Sequence, residues 1–284
     1  MAPVPIQSVL ITGCSAGGIG SELALEFQRR GLRVFATART PSKMDHLASL
    51  PNVTLLQIDV TDQSTIDAAA AKVRSLTGGK LNYLINNSGA QHVAPVLETG
   101  LAEAQALFDV NFFGVLRVTQ AFAPLLIAAT GCVVNLCSIS GHLHTPWMGV
   151  YQASKAAAEM LSETMRLELR PLGVRVISLV TGAVDTNIMT AASKVELSKA
   201  SPYKVKAVEE AMAKLTSGND GIKRTPADEF AKKVVDDVLD GASGRLWRGQ
   251  MAGMISVMTK VMPSSMLDNT LIGNSGLQAL PKKV

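Results

Sequence analysis

The chain is short of several things. Charged residues are 18% of its 284 residues and aromatics 4%. So little charge excludes a self-repelling disordered chain, and 47% hydrophobic residues supply core material for one large α/β domain or two small ones. Cysteines number three, Cys14, Cys132 and Cys137, and follow neither zinc-ligand nor disulfide-framework spacing. That usage suits a reducing, cytoplasmic setting. Net charge is small: 27 Lys and Arg against 23 Asp and Glu leave +4, scattered, which argues against a nucleic-acid partner. The opening MAPVPIQSVLITG lacks the basic and long apolar regions of a secretory signal. No run of about 18 apolar residues occurs. The nearest, Val115 to Val134, is interrupted by Arg117, Thr119, Gln120 and Pro124, so no spanning helix is expected. Mean hydropathy is nonetheless high at +0.23. Either the core is unusually apolar or some apolar surface meets a partner, a greasy ligand or a membrane.

What is present is an alternation of short strands and helices. Ser8–Thr12, Arg33–Thr37, Val53–Ile58, Leu81–Asn86, Cys132–Cys137 and Val174–Val180 are β-branched-rich runs without polar alternation. Strands buried on both faces of a parallel sheet read this way. Between them, Ile19, Leu23 and Phe27 recur at helical spacing before Gly31, and Leu101–Ala129 and Tyr151–Arg170 are long helical stretches. Repeated β-α-β units predict a Rossmann-type, doubly wound parallel sheet in one domain spanning 1–284. Residues from about 187 to 225 are Lys-rich with few strand signals and read as a helical substrate lid. Thr225 and Pro226 read as the cap and first residue of a helix ending near Gly241, and Gly244–Gly249 as a last strand. A Met-rich tail follows from about 250 to 284.

The first strand runs into Gly13, Cys14, Ser15, Ala16, Gly17, Gly18, Ile19 and Gly20 and then a helix. Glycines let backbone approach a pyrophosphate, and the helix N-terminus offers free amides, so a dinucleotide is expected here. An NAD-selecting carboxylate belongs about 20 residues on. The sequence there is Ala-Thr-Ala-Arg39-Thr, with Lys43 nearby. Arg39 is placed to meet a 2′-phosphate, which selects NADP(H), although a solvated loop arginine would look the same. Asp59, followed by Val60, suits the adenine amino group or a helix N-cap. Asn87 and Gly89 suit backbone packed on the cofactor or a plain turn.

Tyr151 and Lys155 are four apart, on one helix face. Tyrosine is a poor acid–base group because its ordinary pKa is about 10. A cation at about 4 Å, at an effective dielectric of about 20, contributes about 4 kcal/mol, or roughly three pKa units, toward the phenolate. Lys155 is therefore expected to bring Tyr151 toward neutrality. Ser138, at the end of the fifth strand, would share the sheet's carboxyl edge with Tyr151 and donate to a substrate carbonyl. Asn111, polar within an apolar helix, either holds a water feeding protons to Lys155 or is a satisfied core amide.

With these motifs in order, the sequence resembles the short-chain dehydrogenase/reductase family from residue 8 to about 190. The resemblance implies Tyr151 as proton donor or acceptor, Lys155 as its partner and nicotinamide-ribose ligand, Ser138 as carbonyl polariser and Asn111 as the end of the relay. Val184 and Thr186 fall where that family meets the carboxamide. The glycine turn is one residue longer than usual, Ser88 replaces the usual Ala, and Thr181–Gly182 replaces Pro–Gly. The longer turn, Arg39 and the Pro263–Asp268 stretch look most like the fungal 1-acyl-dihydroxyacetone-phosphate reductase subgroup, whose members would sit at the endoplasmic reticulum or lipid droplets. His92, His142, His144 and Trp147 should line the substrate pocket, and no third ligand makes a metal site of the histidines. Lys194, Lys199, Lys204 and Lys206 attract an anionic substrate or simply coat the lid. Met251, Met254, Met258 and Met262 form one helical stripe for core, dimer or greasy-pocket packing, or for peripheral membrane contact. A small-molecule carbonyl substrate and a homodimer or homotetramer are expected.

Overall fold

The computed structural model describes residues 6–188, 193–194, 196–218 and 220–281. Seven strands form one parallel sheet: β1 (Ser8–Ile11), β2 (Arg33–Ala38), β3 (Val53–Gln57), β4 (Tyr83–Asn86), β5 (Cys132–Ser138), β6 (Arg175–Thr181) and β7 (Gly244–Arg248). Their spatial order is β3-β2-β1-β4-β5-β6-β7. Ile11 pairs with Ala36 on one side and Ile85 on the other, so the winding reverses at β1. Doubly wound sheets bind ligands outside the carboxyl ends of the strands at this reversal.

The missing polar alternation has a simple cause. Val9 and Ile11 enter one apolar layer with Phe27 and Phe230, while Leu10, between them, enters a second with Phe122. Period two separates two cores here, not core from water. The first layer is covered by α1 (Ile19–Arg29) and α7 (Ala227–Leu239). The second is covered by α2 (Gln63–Thr77), α4 (Gly114–Ala129) and α5 (Gly149–Leu169). Ahead of α4, α3 (Leu101–Phe108) continues through a π-helical turn, Asp109–Phe113, that carries Asn111.

Some boundaries differ from expectation. The N-cap of α2 is Asp62, which accepts the Ser64 amide at 2.9 Å. Asp59 instead accepts the Thr61 amide at 3.0 Å and its hydroxyl at 2.7 Å. Thr225 does not cap α7, because its backbone is committed to Ala183 and Asp185. Leu101–Ala129 is long and apolar enough to cross a membrane by length and composition, although its Val118, Phe122, Leu125 and Leu126 are buried in the second layer.

The lid contains α6 (Lys206–Ser217) and a two-residue pairing of Ser193–Lys194 with His92–Val93. Residues 189–192, 195 and 219 of the expected lid, and the side chain of Lys194, lie outside the described residues. The tail forms α8 (Ala252–Val261) and α9 (Ser264–Gly273). Ala252 and Ile255, not the methionines, are the buried face of α8; Met254 is 52% exposed. The methionine stripe is thus no core seam.

Candidate active site

The glycine turn is built by hydrogen bonds from three directions. The Thr12 hydroxyl accepts the amides of Asn87 at 3.0 Å and Ser88 at 2.9 Å. Asn87 Nδ2 donates to the carbonyls of Thr12 at 2.7 Å and Gly13 at 3.0 Å. The Asn87 Nδ2 therefore shapes the turn, with both its hydrogens taken. From β2, the Thr37 carbonyl accepts the Cys14 amide at 2.8 Å, and from the following loop Lys43 accepts the Ala16 amide at 3.0 Å. Gly13 and Gly17 both have φ +74°, and a Cβ on Gly20 would lie 2.4 Å from the Gly13 oxygen. Only glycine allows this approach. The added residue is absorbed before α1, where Gly18 occupies the N-cap and donates to Ser15 at 3.2 Å. No side chain caps α1. Its first-turn amides, around Ile19, are left for an anion, and the cradle fits a pyrophosphate. Sequence reasoning missed Asn187: its amide donates to Gly17 at 3.3 Å and its Nδ2 to Ala16 at 3.4 Å, bringing the lid base onto the turn.

Arg39 stands exposed at the end of β2, and among the described residues no carboxylate pairs with it. A guanidinium left unpaired beside a phosphate cradle suits a second phosphate. Val60 is buried and packs on Gly114, leaving Asp59 half-buried at the β3 edge.

Ser138, Tyr151 and Lys155 come together at the carboxyl edge. β5 delivers Ser138, whose hydroxyl accepts the Ser140 amide at 3.1 Å and acts on the Tyr151 phenol to favour its ionised form. Lys155 Nζ donates to the Leu136 carbonyl at 3.0 Å. A Cβ on Gly89 would lie 3.4 Å from Asn111 Oδ1 and 3.5 Å from Lys155 Nζ, so these three converge. Asn111 is itself satisfied: it brackets Ala90, accepting the amide at 2.8 Å and donating to the carbonyl at 2.9 Å. It also donates to Ser154 Oγ at 3.0 Å, which donates to the Tyr151 carbonyl at 2.7 Å. Its side chain braces the catalytic helix. Ser154, inside the YQASK motif, went unremarked in the sequence.

Electrostatics correct one expectation. Burial pushes the Tyr151 phenol above its ordinary value, opposed by the Ser138 hydrogen bond, with no lowering from Lys155. Burial likewise pushes Lys155 down. Desolvation outweighs the spacing argument, because both groups are deeply buried.

The loops above the site also differ from expectation. His144 is 74% exposed and meets Asp268 at 3.1 Å. His142 turns to Glu159 at 2.7 Å, its ring tilted at 42° to Trp247 with centroids 4.8 Å apart. His92 is buried, 3.4 Å from the Thr99 hydroxyl, and burial lowers its pKa. Trp147 is buried in the apolar cluster that holds Tyr151, with Val93, Leu107 and Met212. Val184 is buried and bridges to Thr225, with Thr186 half-buried beyond it. Lys204 pairs with Glu209 at 2.6 Å and Lys206 with Glu210 at 3.7 Å. Among the described residues no three His, Cys, Asp or Glu side chains gather as a metal site.

A sequence profile of the short chain dehydrogenase family matches residues 7–196. The chain belongs to the short-chain dehydrogenases. It is similar to short-chain dehydrogenase PC-15 of Penicillium crustosum, 43% identical over 96% of this chain and 99% of that protein. An NADPH-dependent 1-acyldihydroxyacetone phosphate reductase of Schizosaccharomyces pombe is 44% identical over 64% of this chain and 61% of its own length. A Burkholderia cenocepacia short chain dehydrogenase solved with NADP superposes with a TM-score of 0.73 at 28% identity, covering 94% of this chain and 98% of that one. The seven-stranded sheet is thus that of a short-chain oxidoreductase.

Proposed function

We propose that this short-chain dehydrogenase reduces a ketone on an uncharged, moderately large apolar substrate, using NADPH. The observation that carries the reading is the Ser138–Tyr151–Lys155 group set against an apolar cluster at the sheet's carboxyl edge. The cofactor is NADP(H), supported by the glycine cradle, the unpaired Arg39 and the NADP complex of the Burkholderia relative. Gly13, Ser15, Gly17, Gly18, Ile19 and Gly20 would hold its pyrophosphate, Arg39 its 2′-phosphate, Asp59 and Val60 its adenine. Lys155 and Gly89 would meet the ribose, with Val184 and Thr186 at the carboxamide. Bound there, it supplies hydride to the carbonyl carbon. The chain does the rest. Ser138 donates to the carbonyl oxygen, Tyr151 delivers the proton to that oxygen, and Lys155 restores the charge balance around the phenol.

Reduction of a long-chain acylated dihydroxyacetone phosphate is the second reading, favoured by the Schizosaccharomyces relative. Against it, Lys204 and Lys206 are tied to the lid's own glutamates, and the cluster beside Tyr151 is apolar. A steady-state panel of alicyclic and aryl ketones beside an acylated phospho-ketone separates the two. Turnover of the plain ketones is expected. Turnover of the phospho-ketone alone would replace the first reading by the second. No NADPH oxidation with any carbonyl would leave a redox-silent fold member, which the intact Ser–Tyr–Lys group argues against.

A pH profile tests direction. Because burial holds the phenol above its ordinary value, Tyr151 carries its proton throughout the neutral range. Reduction should be flat from about pH 6 to about pH 9, whereas alcohol oxidation, which needs the phenolate, should rise about tenfold per pH unit there. A reduction rate falling steeply above neutrality would mean that a different acid supplies the proton.

We also place the protein in the cytoplasm as a homodimer or homotetramer, with or without contact to an endoplasmic-reticulum or lipid-droplet surface. The support is that Cys14, Cys132 and Cys137 are buried free thiols, and that Phe113, Met160 and Leu167 on the long helices are exposed.

A further inference from the structure

Trp147 is where tail, lid and catalytic helix meet. It sits in the loop between Ser138 and Tyr151 with φ +72°, a left-handed backbone that a bulky residue keeps only when its surroundings hold it. Its carbonyl accepts the Ala94 amide at 2.7 Å. Its indole Nε1 donates to the Ser275 carbonyl at 2.9 Å, and its ring meets Tyr203 edge-on at 5.4 Å.

The partner segment is equally constrained. Ser275 is buried, donates its hydroxyl to Ile272 at 2.7 Å and accepts the Leu277 amide at 3.2 Å. Gly276 has φ +78°, and a Cβ there would lie 2.5 Å from the Ala207 carbonyl on α6. The chain therefore presses backbone to backbone on the lid helix. Leu277 and Leu280 then pack on the apolar cluster that contains Trp147 and Tyr151.

We propose that Ser275–Leu280 is a wall of the substrate pocket, pinned by Trp147, and that it sets how large an apolar ketone reaches Tyr151. This rests on the reading of that pocket as a ketone site. The segment is bonded to the loop that joins the carbonyl-polarising serine to the proton-donating tyrosine. Its contribution to the cluster is two leucines, and the indole N–H is already spent on Ser275. The wall therefore discriminates by shape and volume, not by hydrogen bonding, and favours uncharged, ring-sized substrates.

The test uses the full chain and three probes of rising size: cyclohexanone, 1-tetralone and a four-ring alicyclic ketone. Leu277→Ala with Leu280→Ala should raise kcat/KM for the four-ring ketone relative to cyclohexanone by about tenfold, with NADPH binding unchanged by fluorescence titration. Equal changes on all three probes, or none, would overturn the wall. The pin has its own readout, because the chain holds only two tryptophans. In a Trp247→Phe background, Gly276→Val should red-shift Trp147 emission and increase its quenching by acrylamide. Unaltered emission and quenching would overturn the pin. Should the unmodified enzyme reduce none of the probes, the ketone reading itself fails, while the quenching result still decides whether the tail is held by Trp147.

Discussion

Tyr151→Phe should cut NADPH-dependent ketone reduction by about a thousandfold or more while leaving NADPH binding close to its original strength. The substitution removes one oxygen and keeps the ring, so the buried cluster around Tyr151 stays filled. Ser138 still accepts the Ser140 amide at 3.1 Å, and Lys155 still donates to Leu136 at 3.0 Å. What is lost is the proton that must reach the carbonyl oxygen as hydride arrives. Water replaces it poorly, because the site is buried. The loss should fall on kcat, since the phenol acts as the transition state forms. Ser138→Ala should cost less, about a hundredfold, because it removes one hydrogen bond to developing charge and leaves the proton donor in place. Single-turnover decay of NADPH absorbance, beside a binding titration, separates these effects. Full activity in Tyr151→Phe would sink the mechanism. Loss of NADPH binding in the same variant would mean that the phenol holds the cofactor and does not do the chemistry.

The parts legible in advance share a cause. Each of the six strands anticipated up to Val180 appears with bounds shifted by two residues at most, and burial on both faces leaves an unmistakable apolar run in all but the edge strand β3, whose residues are at most half-buried. The glycine turn and the Ser138–Tyr151–Lys155 group were legible because their spacing is local to one turn, one strand end and one helix. What spacing could not tell is which distant partner a side chain takes. His144 meets Asp268 across 124 positions and Trp147 meets Ser275 across 128. Loop position told that these residues lie near the site but not which way they turn. Asn187 reaches Ala16 from 171 positions away, and nothing in either segment announces it. The Tyr151–Lys155 spacing put both residues on one helix, α5. It could not reveal the desolvation of both groups, which pushes the phenol up and the amine down. Asn111 was readable as a polar residue that must be satisfied. Its choice of Ala90 and Ser154 depended on how the π-helical turn aims it.

Arg39→Ala should weaken NADPH binding by about tenfold to a hundredfold and leave NADH binding nearly unchanged. The argument is geometric before it is electrostatic. The end of β2 and the loop after it are each tied to the glycine cradle, Thr37 by the Cys14 amide at 2.8 Å and Lys43 by the Ala16 amide at 3.0 Å. A dinucleotide lying in that cradle therefore brings its adenosine ribose to the end of β2, where Arg39 begins the loop. No acid stands there to accept a 2′-hydroxyl, and the guanidinium is exposed and free of any carboxylate among the described residues. Its backbone carbonyl is held by Gln57 at 3.2 Å, which orders the residue without using its charge. Removing the guanidinium deletes the charge-assisted contacts to a 2′-phosphate and disturbs nothing that NADH uses. Arg39→Lys should recover part of the loss, since a point charge attracts phosphate without the bidentate fork. Isothermal titration with both nucleotides, repeated at raised salt, reads the difference directly. The NADPH preference should shrink with salt, because an exposed ion pair is screened. Equal weakening of both nucleotides would assign Arg39 to the architecture of the loop, and the 2′-phosphate would then have to be read by Lys43.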